Sequence, residues 1–209
     1  MHCPACRQRI TETEATCLQC GFSLEALTAQ MGIQPQLSPP VADLARVLSS
    51  HGRRSLINSI QFLEQRFPEV SATIVIAEVP QGLKPEVYAF WLFNRANLFS
   101  AVERGGDNHG LLLLIDPQTS LALATIGYGL EPFISEQTLE KCLCPAVPYL
   151  SKKKFAEAGV SFFREAERQF TELAQQMPAV FGYTESLYWL DSTTGELTHA
   201  AQDEHEDPY

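Results

Sequence analysis

The chain has 209 residues, of which 45% are hydrophobic, and a formal net charge of −10. This length leaves room for one full domain and a small module, and the hydrophobic share is enough for a core. The negative charge argues against nucleic acid as the main partner, because phosphate binding needs clustered lysine and arginine. No stretch approaches the roughly 18 uninterrupted apolar residues of a membrane span, and the chain opens without a signal-sequence pattern. We therefore expect a cytoplasmic protein without a membrane span.

Four cysteines near the N-terminus form two C-x2-C pairs. Cys3 and Cys6 are followed, after ten residues, by Cys17 and Cys20. Two residues between thiolates let both sulfurs turn toward one ion, and two such pairs complete the tetrahedral shell of Zn²⁺. Two disulfides or redox-active pairs are the alternative, but cysteines stay reduced in the cytoplasm, where paired motifs usually bind metal. Residues 1–24 are therefore predicted to form a small ribbon around a structural zinc ion.

The charges of this ribbon indicate which kind of partner it suits. Arg7 and Arg9 are offset by Glu12 and Glu14, so the ribbon offers no basic surface for nucleic acid. Its residues resemble the short zinc ribbons found at the front of many bacterial proteins. We expect it either to stabilise the chain or to dock a protein partner.

The residues after the ribbon divide into a linker and a main domain. Residues 25–40 carry glutamines and prolines with little periodicity, which predicts a linker. Apolar residues at helical spacing and β-branched runs then predict, in order, a helix over 53–67, a strand over 73–79, a helix from 85 to about 97 and a strand over 111–115. Strand, helix and strand in this order predict a parallel βαβ unit, and the continuous apolar run of its last strand indicates burial on both faces.

The last of these strands leads into a hairpin that predicts a site. Residues 116–120 have turn composition, and residues 121–126 predict the antiparallel return strand. Close pairing of the two arms would bring Asp107 near Glu131 at one end of the sheet, on a glycine-rich backbone. Carboxylates and free carbonyls are the ligands that Ca²⁺ or Mg²⁺ requires. The alternative is that Asp107 only closes an Asx-turn and Glu131 lies near the start of the next helix.

The order of these motifs resembles the TPM domain family, whose name joins thylakoid-lumen, photosystem-repair and nematode receptor-modulator members. The resemblance covers residues 38 to about 177. It rests on Val41-Ala42-Asp43, the strand over 73–79, Asp107-Asn108-His109-Gly110, and Gly-Tyr-Gly-Leu-Glu over 127–131. It implies an α/β fold in which a central mixed sheet lies between helices as a three-layer sandwich. It also implies a carboxylate cluster that binds Ca²⁺ in some members and weak acid phosphatase activity in others.

The resemblance also names site residues. Asp43, Asp107 and Glu131 are carried over as ligands of Ca²⁺ or Mg²⁺. The family loop is usually Asp-Asn-Gly, whereas His109 is inserted here and is expected to tilt the loop or to add a ligand. Asp107 and His109 are the candidate catalytic residues. Many members carry a signal peptide and a transmembrane tail, which we do not expect here, so a role in membrane-protein repair is not carried over.

The C-terminal part adds helices and a hairpin. Ser135 is predicted to cap a helix over 136–143, and an apolar stripe predicts a long helix over 152–175. Cys142 and Cys144 have no third or fourth ligand nearby, so core or half-buried thiols are expected there rather than a metal site. The predicted divisions are the ribbon (1–24), the linker (25–40), the TPM-like α/β domain (41–177), a β-hairpin extension (178–200) and a disordered acidic tail (201–209).

Two functions compete. The first is an accessory or protein-interaction module that holds Zn²⁺ and Ca²⁺ or Mg²⁺, favoured because the site has no nucleophile or general base besides His109. The second is a metal-dependent acid phosphatase that hydrolyses phosphomonoesters with metal-activated water. The second is favoured if Lys152, Lys153 and Lys154 fold next to Asp107, where they would attract an anionic substrate.

Overall fold

The computed structural model describes residues 2–11, 14–33, 35–99, 108–181, 189–190 and 197–198. Residues up to Phe170 form one unit of contacts, and those from Thr171 belong to a second. The described helices are α1 (Leu24–Met31), α2 (Ser50–Arg66), α3 (Pro85–Arg95), α4 (Glu136–Leu143), α5 (Val147–Leu150) and α6 (Phe155–Phe181). The described strands are β1 (Val41–Asp43), β2 (Ser71–Ile76), β3 (Gly110–Asp116), β4 (Leu121–Ile126), β5 (Trp189–Leu190) and β6 (Leu197–Thr198).

Strands β1 to β4 form one mixed sheet in that order. β1 pairs with β2 and β2 with β3 in parallel, whereas β4 returns antiparallel to β3. The parallel pairing of β2 with β3, with α3 between them in the chain, confirms the predicted βαβ order. The hairpin of β3 and β4 is confirmed as well. Every residue of β3 is buried, because helices cover both faces of the sheet.

Different helices cover the two faces. On one face, α2 and α6 approach β2 closely: a side chain added at Gly159 would collide with Leu56 and Ile74. On the other face, aromatic residues of α3 such as Trp91 join one core cluster with Leu112 of β3. Neighbouring residues of a strand point to opposite faces, so the same strand can pack against the helices on both faces. The fold is therefore the expected α/β arrangement of a mixed sheet between two helical layers.

Helix α1 (Leu24–Met31) begins at the last residue of the predicted ribbon and occupies the first part of the predicted linker, residues 25–40. Ser23 caps its start by accepting a hydrogen bond from the N–H of Ala26 at 3.0 Å. Leu27 is the buried residue of this helix, and it packs into the core cluster on the α3 face. A short helix with a single buried position leaves little periodicity in the sequence. Its stability comes from tertiary packing, which the sequence pattern does not reveal.

The last described elements differ from the prediction in their bounds. Helix α6 runs from Phe155 to Phe181 and passes Pro178, where the sequence analysis had already ended it. Proline removes one helical hydrogen bond and can kink a helix without ending it. In the second unit, β5 pairs antiparallel with β6, which is the hairpin pairing predicted for this region. The predicted tail, residues 201–209, lies outside the described residues.

Candidate metal centre and adjoining groove

The four N-terminal cysteines converge on one point. Their Sγ atoms all lie within 4.8 Å of one another, with Cys3 and Cys20 at 3.7 Å and Cys6 and Cys17 at 3.8 Å. In a tetrahedral zinc site with Zn–S bonds of about 2.3 Å, the sulfurs are about 3.8 Å apart. A disulfide would need about 2.05 Å. The cluster can therefore hold a metal ion, and its dimensions are consistent with zinc.

The two C-x2-C pairs are built alike. The N–H of Arg7 donates to the C=O of Cys3 at 2.8 Å, and the N–H of Gly21 donates to the C=O of Cys17 at 2.8 Å. Arg7 and Gly21 end these turns with positive φ angles of 61° and 71°. Glycine adopts this conformation without a steric penalty, whereas arginine does not. The first turn is therefore harder to recognise from the sequence than the second.

The thiols resist simultaneous ionisation unless a cation is bound. The N–H of Cys20 holds the pKa of Cys17 down to about 7. The N–H of Phe22 favours the Cys20 thiolate, but burial and the three neighbouring sulfurs outweigh it and raise the pKa of Cys20 to about 12. A bound divalent ion would offset the repulsion among the thiolates. Metal uptake should therefore release protons and weaken as the pH falls.

The ribbon packs against α3. Lys84 Nζ, just before α3, donates a hydrogen bond to the C=O of Ala5 at 2.7 Å, between the first two cysteines. The ring of Phe22 packs edge-on against Phe90 with centroids 5.8 Å apart. Ala5 and Phe22 are both packed against the core cluster that α3 forms with the sheet. The cysteine cluster and the main domain therefore share apolar contacts.

A groove of about 670 Å³ lies beside this contact. The ribbon and α3 line one part of it, residues 127–139 line another, and β4, the edge strand of the sheet, lines it as well. Its charged lining residues are Arg7, Glu14, Glu25, Glu86, Arg95, Glu131 and Glu136. We call this space the ribbon groove.

Asn108 brings an unpaired polar atom to the ribbon groove. Its side chain is 8% exposed, and no described residue donates a hydrogen bond to its Oδ1. Its backbone has a positive φ of 45° and lies so close to Gly127 that a Cβ at residue 127 would collide with it. The Nε of Arg95, which also lines the groove, is likewise buried without an acceptor among the described residues. Buried polar atoms without partners are rare and call for an explanation such as a ligand.

Glu131 lines the same groove, in the turn that follows Gly127. Glu131 and Asn108 therefore both line the ribbon groove. Asp107, the other acid expected there, lies outside the described residues. The pairing of Asp107 with Glu131 around a cation therefore stays a prediction.

Comparison with known proteins identifies the main domain. The family model of the TPM domain matches residues 41–169. The chain belongs to the TPM domain family. No curated protein matches the chain.

Three solved structures match this chain at low identity. An N-terminal domain of a protein from P. gingivalis matches with a TM-score of 0.50 at 15% identity, over 69% of this chain and 88% of that chain. The N-terminal domain of the cg2496 protein from Corynebacterium glutamicum has a TM-score of 0.49 at 14% identity, over 66% and 84%. The BA42 protein from Bizionia argentinensis has a TM-score of 0.48 at 12% identity, over 62% and 86%. The P. gingivalis match supports the fold of the TPM domain and nothing finer.

Asp43 of the TPM domain lies away from the ribbon groove. It pairs with Ile76 of β2, which pairs with Ile115 near the C-terminal end of β3. Its carboxylate accepts hydrogen bonds from the N–H groups of Val47 and Leu48 at 3.1 and 2.9 Å. Because β1 runs parallel to β3, its C-terminal acid falls at the opposite end of the sheet from the groove. The structure therefore does not bring Asp43 to the other predicted ligands.

Neither His109, a candidate catalytic residue, nor the lysines at residues 152–154 line the ribbon groove. His109 is not among the lining residues, and its C=O accepts a hydrogen bond from the N–H of Ser71 at 3.2 Å. Ser151 lines a small cavity together with Ser120 at the turn of the β3–β4 hairpin. Lys152–Lys154 therefore begin at the far end of the sheet from Asn108, not beside it.

Cys142 and Cys144 occupy different environments. Cys142 is buried in α4, and burial raises the pKa of its thiol to about 12. Cys144 is exposed. Among the described residues, neither joins a cluster of three or more metal ligands.

No described helix has the length and apolarity needed to cross a bilayer.

Sequence reasoning did not single out Asn108 and Arg95 as site residues. Asparagine tolerates positive φ, so its place between an acid and a strand that begins with glycine was a signal that could have been used. Arginine in the last turn of a helix is common, and nothing in the sequence marks Arg95 as facing a groove. Its position depends on the docking of the ribbon.

Proposed function

We propose that this TPM protein is an accessory, protein-interaction module that carries a structural zinc ion in its ribbon and a divalent cation near Glu131. One observation carries the interaction role: the ribbon packs on α3 and lines a groove beside the edge strand of the sheet. A metal-stabilised ribbon next to a sheet edge offers apolar walls and backbone groups to another chain. This arrangement suits recognition of a protein better than chemistry on a small substrate.

The cation site is proposed at the end of the groove where Asn108 and Glu131 lie, with Asp107 as the third ligand. Ca²⁺ takes oxygen ligands from carboxylates, amides, backbone carbonyls and water. The unpaired Oδ1 of Asn108 and the groove-lining carboxylate of Glu131 support this choice. Asp43 is no longer part of it, because its carboxylate is held by backbone N–H groups at the other end of the sheet.

A metal-dependent acid phosphatase is the second candidate. Arg95 favours it, because a guanidinium that lines the same groove suits a phosphate group. The lysines at residues 152–154 no longer favour it, since they begin beside the hairpin turn. His109, the expected base, does not line the groove. The interaction role is therefore preferred.

Assay of purified full-length protein with a chromogenic phosphomonoester, with and without Ca²⁺ or Mg²⁺, separates the two. We expect no turnover, and a rise in the thermal unfolding midpoint of about 5 °C at saturating cation. Asp107→Ala should abolish this rise, and Glu140→Ala should retain it, because Glu140 is an exposed acid that does not line the groove. Metal analysis should find zinc that is lost when the cysteines are replaced.

Metal-stimulated turnover that disappears in Asp107→Ala would overturn the accessory role in favour of the phosphatase. A cation effect that survives in Asp107→Ala and disappears in Glu140→Ala would place the cation elsewhere. A protein with intact Cys3, Cys6, Cys17 and Cys20 but no bound zinc would refute the ribbon.

A further inference from the structure

Strand β4 presents unpaired backbone groups along its outer edge. The N–H of Gly127 donates to the C=O of Gly110 at 2.8 Å, which fixes the alternation of the β3–β4 ladder. The odd-numbered residues of β4 therefore bond to β3, and the N–H and C=O groups of Ala124 and Ile126 point outward. No other described strand pairs with this edge. An open edge of this kind is a template for another strand.

The outward groups of Ala124 and Ile126 open into the ribbon groove, which both residues line. Apolar side chains also line the groove, among them Phe22 of the ribbon and Ile134 of the segment after β4. A strand added along β4 would present alternate side chains to this lining. Peptide recognition by strand addition uses this combination of a backbone ladder and side-chain pockets.

The charge of the ribbon groove indicates which kind of polypeptide segment it would bind. Glu14, Glu25 and Glu136 are exposed at its rim, which we call the rim carboxylates, and Arg7 lies 3.9 Å from Glu86. Acids therefore outnumber the basic groups left to face an occupant. The chain's own acidic C-terminal residues have the wrong sign for this surface, as does a second copy of a chain with net charge −10. The complementary occupant is a basic segment of another protein.

We propose that the ribbon groove binds an extended segment of a partner protein, with alternating lysine or arginine and apolar residues, which adds a fifth strand to the edge of β4. The proposal rests on the proposed interaction function and specifies the chemistry of the partner. The donor Arg95 Nε, unpaired among the described residues, can bond a backbone carbonyl of this segment. The ribbon that the cysteine cluster stabilises lines one side of the groove, so the shape of the groove depends on the metal that the cysteines hold.

The test measures binding of a fluorescent peptide of alternating lysine and valine to the zinc-loaded full-length protein. Ala124→Pro removes an outward N–H that β3 does not use, and proline is tolerated on an edge strand. We expect it to weaken binding by about tenfold or more, and Ala124→Val, which keeps the N–H, to bind as the wild type does. Glu136→Gln should weaken binding by about threefold, since it removes one rim charge. Glu140→Gln, on the same helix but off the groove, should not.

Hydrogen exchange provides a readout that does not need a variant to fold. Saturating peptide should protect the amides of Ala124 and Ile126, whereas those of Leu123 and Thr125 are already protected by β3. Equal binding by wild type and a folded Ala124→Pro, or protection without this alternation, would overturn the proposal. Tighter binding of a matching glutamate–valine peptide would also overturn it. A dimer of the protein that Ala124→Pro dissociates would overturn it too, because the occupant of the groove would then be a second copy of the chain. Phosphatase turnover is measured separately, so failure here leaves the proposed function to its own assay.

Discussion

The two ends of strand β3 carry similar residues in opposite situations. At its C-terminal end, Asp116 is 3% exposed, and its carboxylate accepts hydrogen bonds from the N–H of Gln118 and the hydroxyl of Thr119, both at 2.9 Å. At its N-terminal end, Asn108 is 8% exposed, and its Oδ1 has no donor among the described residues. Both side chains are short, polar and buried beside a turn. One is satisfied and the other is not.

The two ends of this hairpin differ in whether their buried polar atoms already have hydrogen-bond partners. Two hydrogen bonds from its own turn account for the buried carboxylate of Asp116, and Asp43 at the same end also accepts two backbone hydrogen bonds. An amide oxygen left unpaired in a buried position lowers stability unless a ligand completes its bonding. We therefore propose the Asn108 end of β3 as the binding end of the TPM domain and regard the Asp116 end as architecture.

The largest effect is expected where the binding end is most tightly packed. Gly127→Ala would drive a Cβ into the backbone C=O of Asn108, which cannot move without displacing the loop. We expect a loss of about 3 kcal/mol in the free energy of unfolding, measured by urea denaturation at constant zinc. Gly110→Ala is the matched control: its Cβ would meet the ring edges of Phe93 at 2.8 Å and Phe99 at 3.1 Å. Side chains can yield, so that loss should be about 1–2 kcal/mol. A larger loss for Gly110→Ala would contradict the close backbone packing.

The second-largest loss of stability is expected at the Asp116 end of β3, where the buried carboxylate has its hydrogen-bond partners. Asp116→Ala leaves the N–H of Gln118 and the hydroxyl of Thr119 without their acceptor in the turn. Both donor residues are exposed, so water can replace the acceptor, and the expected loss is about 1–2 kcal/mol, from the same urea measurement. Asp116→Asn keeps the shape and one acceptor oxygen, so it should lose about half as much. Cation-dependent stabilisation should persist in both variants. If it vanished in either, the cation would lie at this end and the comparison would be reversed.

Local signals were enough to predict much of the TPM fold. Helix α4 begins after Ser135, whose hydroxyl accepts a hydrogen bond from the N–H of Thr138 at 3.2 Å, and it covers the predicted residues 136–143. Strand β4 also has its predicted bounds, because a turn and a bounded apolar run mark it. The four cysteines converge because their spacing alone nearly determines the geometry of a shared ion. Each of these features is encoded within a few consecutive residues.

Features that depend on distant contacts could not be predicted in the same way. Asp43 falls at the wrong end for a shared site because of the parallel pairing of β1 with β2, and the sequence alone leaves that register open. The docking of the ribbon depends on Ala5 and Phe22 meeting α3, and neither residue carries a pattern that names its partner. The ribbon groove, and the exposure of Arg95 to it, follow from that docking.

The smallest effect on the free energy of unfolding is expected for a substitution of Asn108, a residue of the proposed cation site. Asn108→Gly removes the unpaired oxygen and suits the positive φ of 45°, and these gains offset the greater flexibility of glycine in the unfolded chain. We expect the free energy of unfolding without added cation to change by less than about 0.5 kcal/mol, while the rise in the thermal midpoint with Ca²⁺ or Mg²⁺ is lost. A loss as large as that of Asp116→Ala would show that Asn108 is satisfied after all, and the two ends of β3 would then both be architecture.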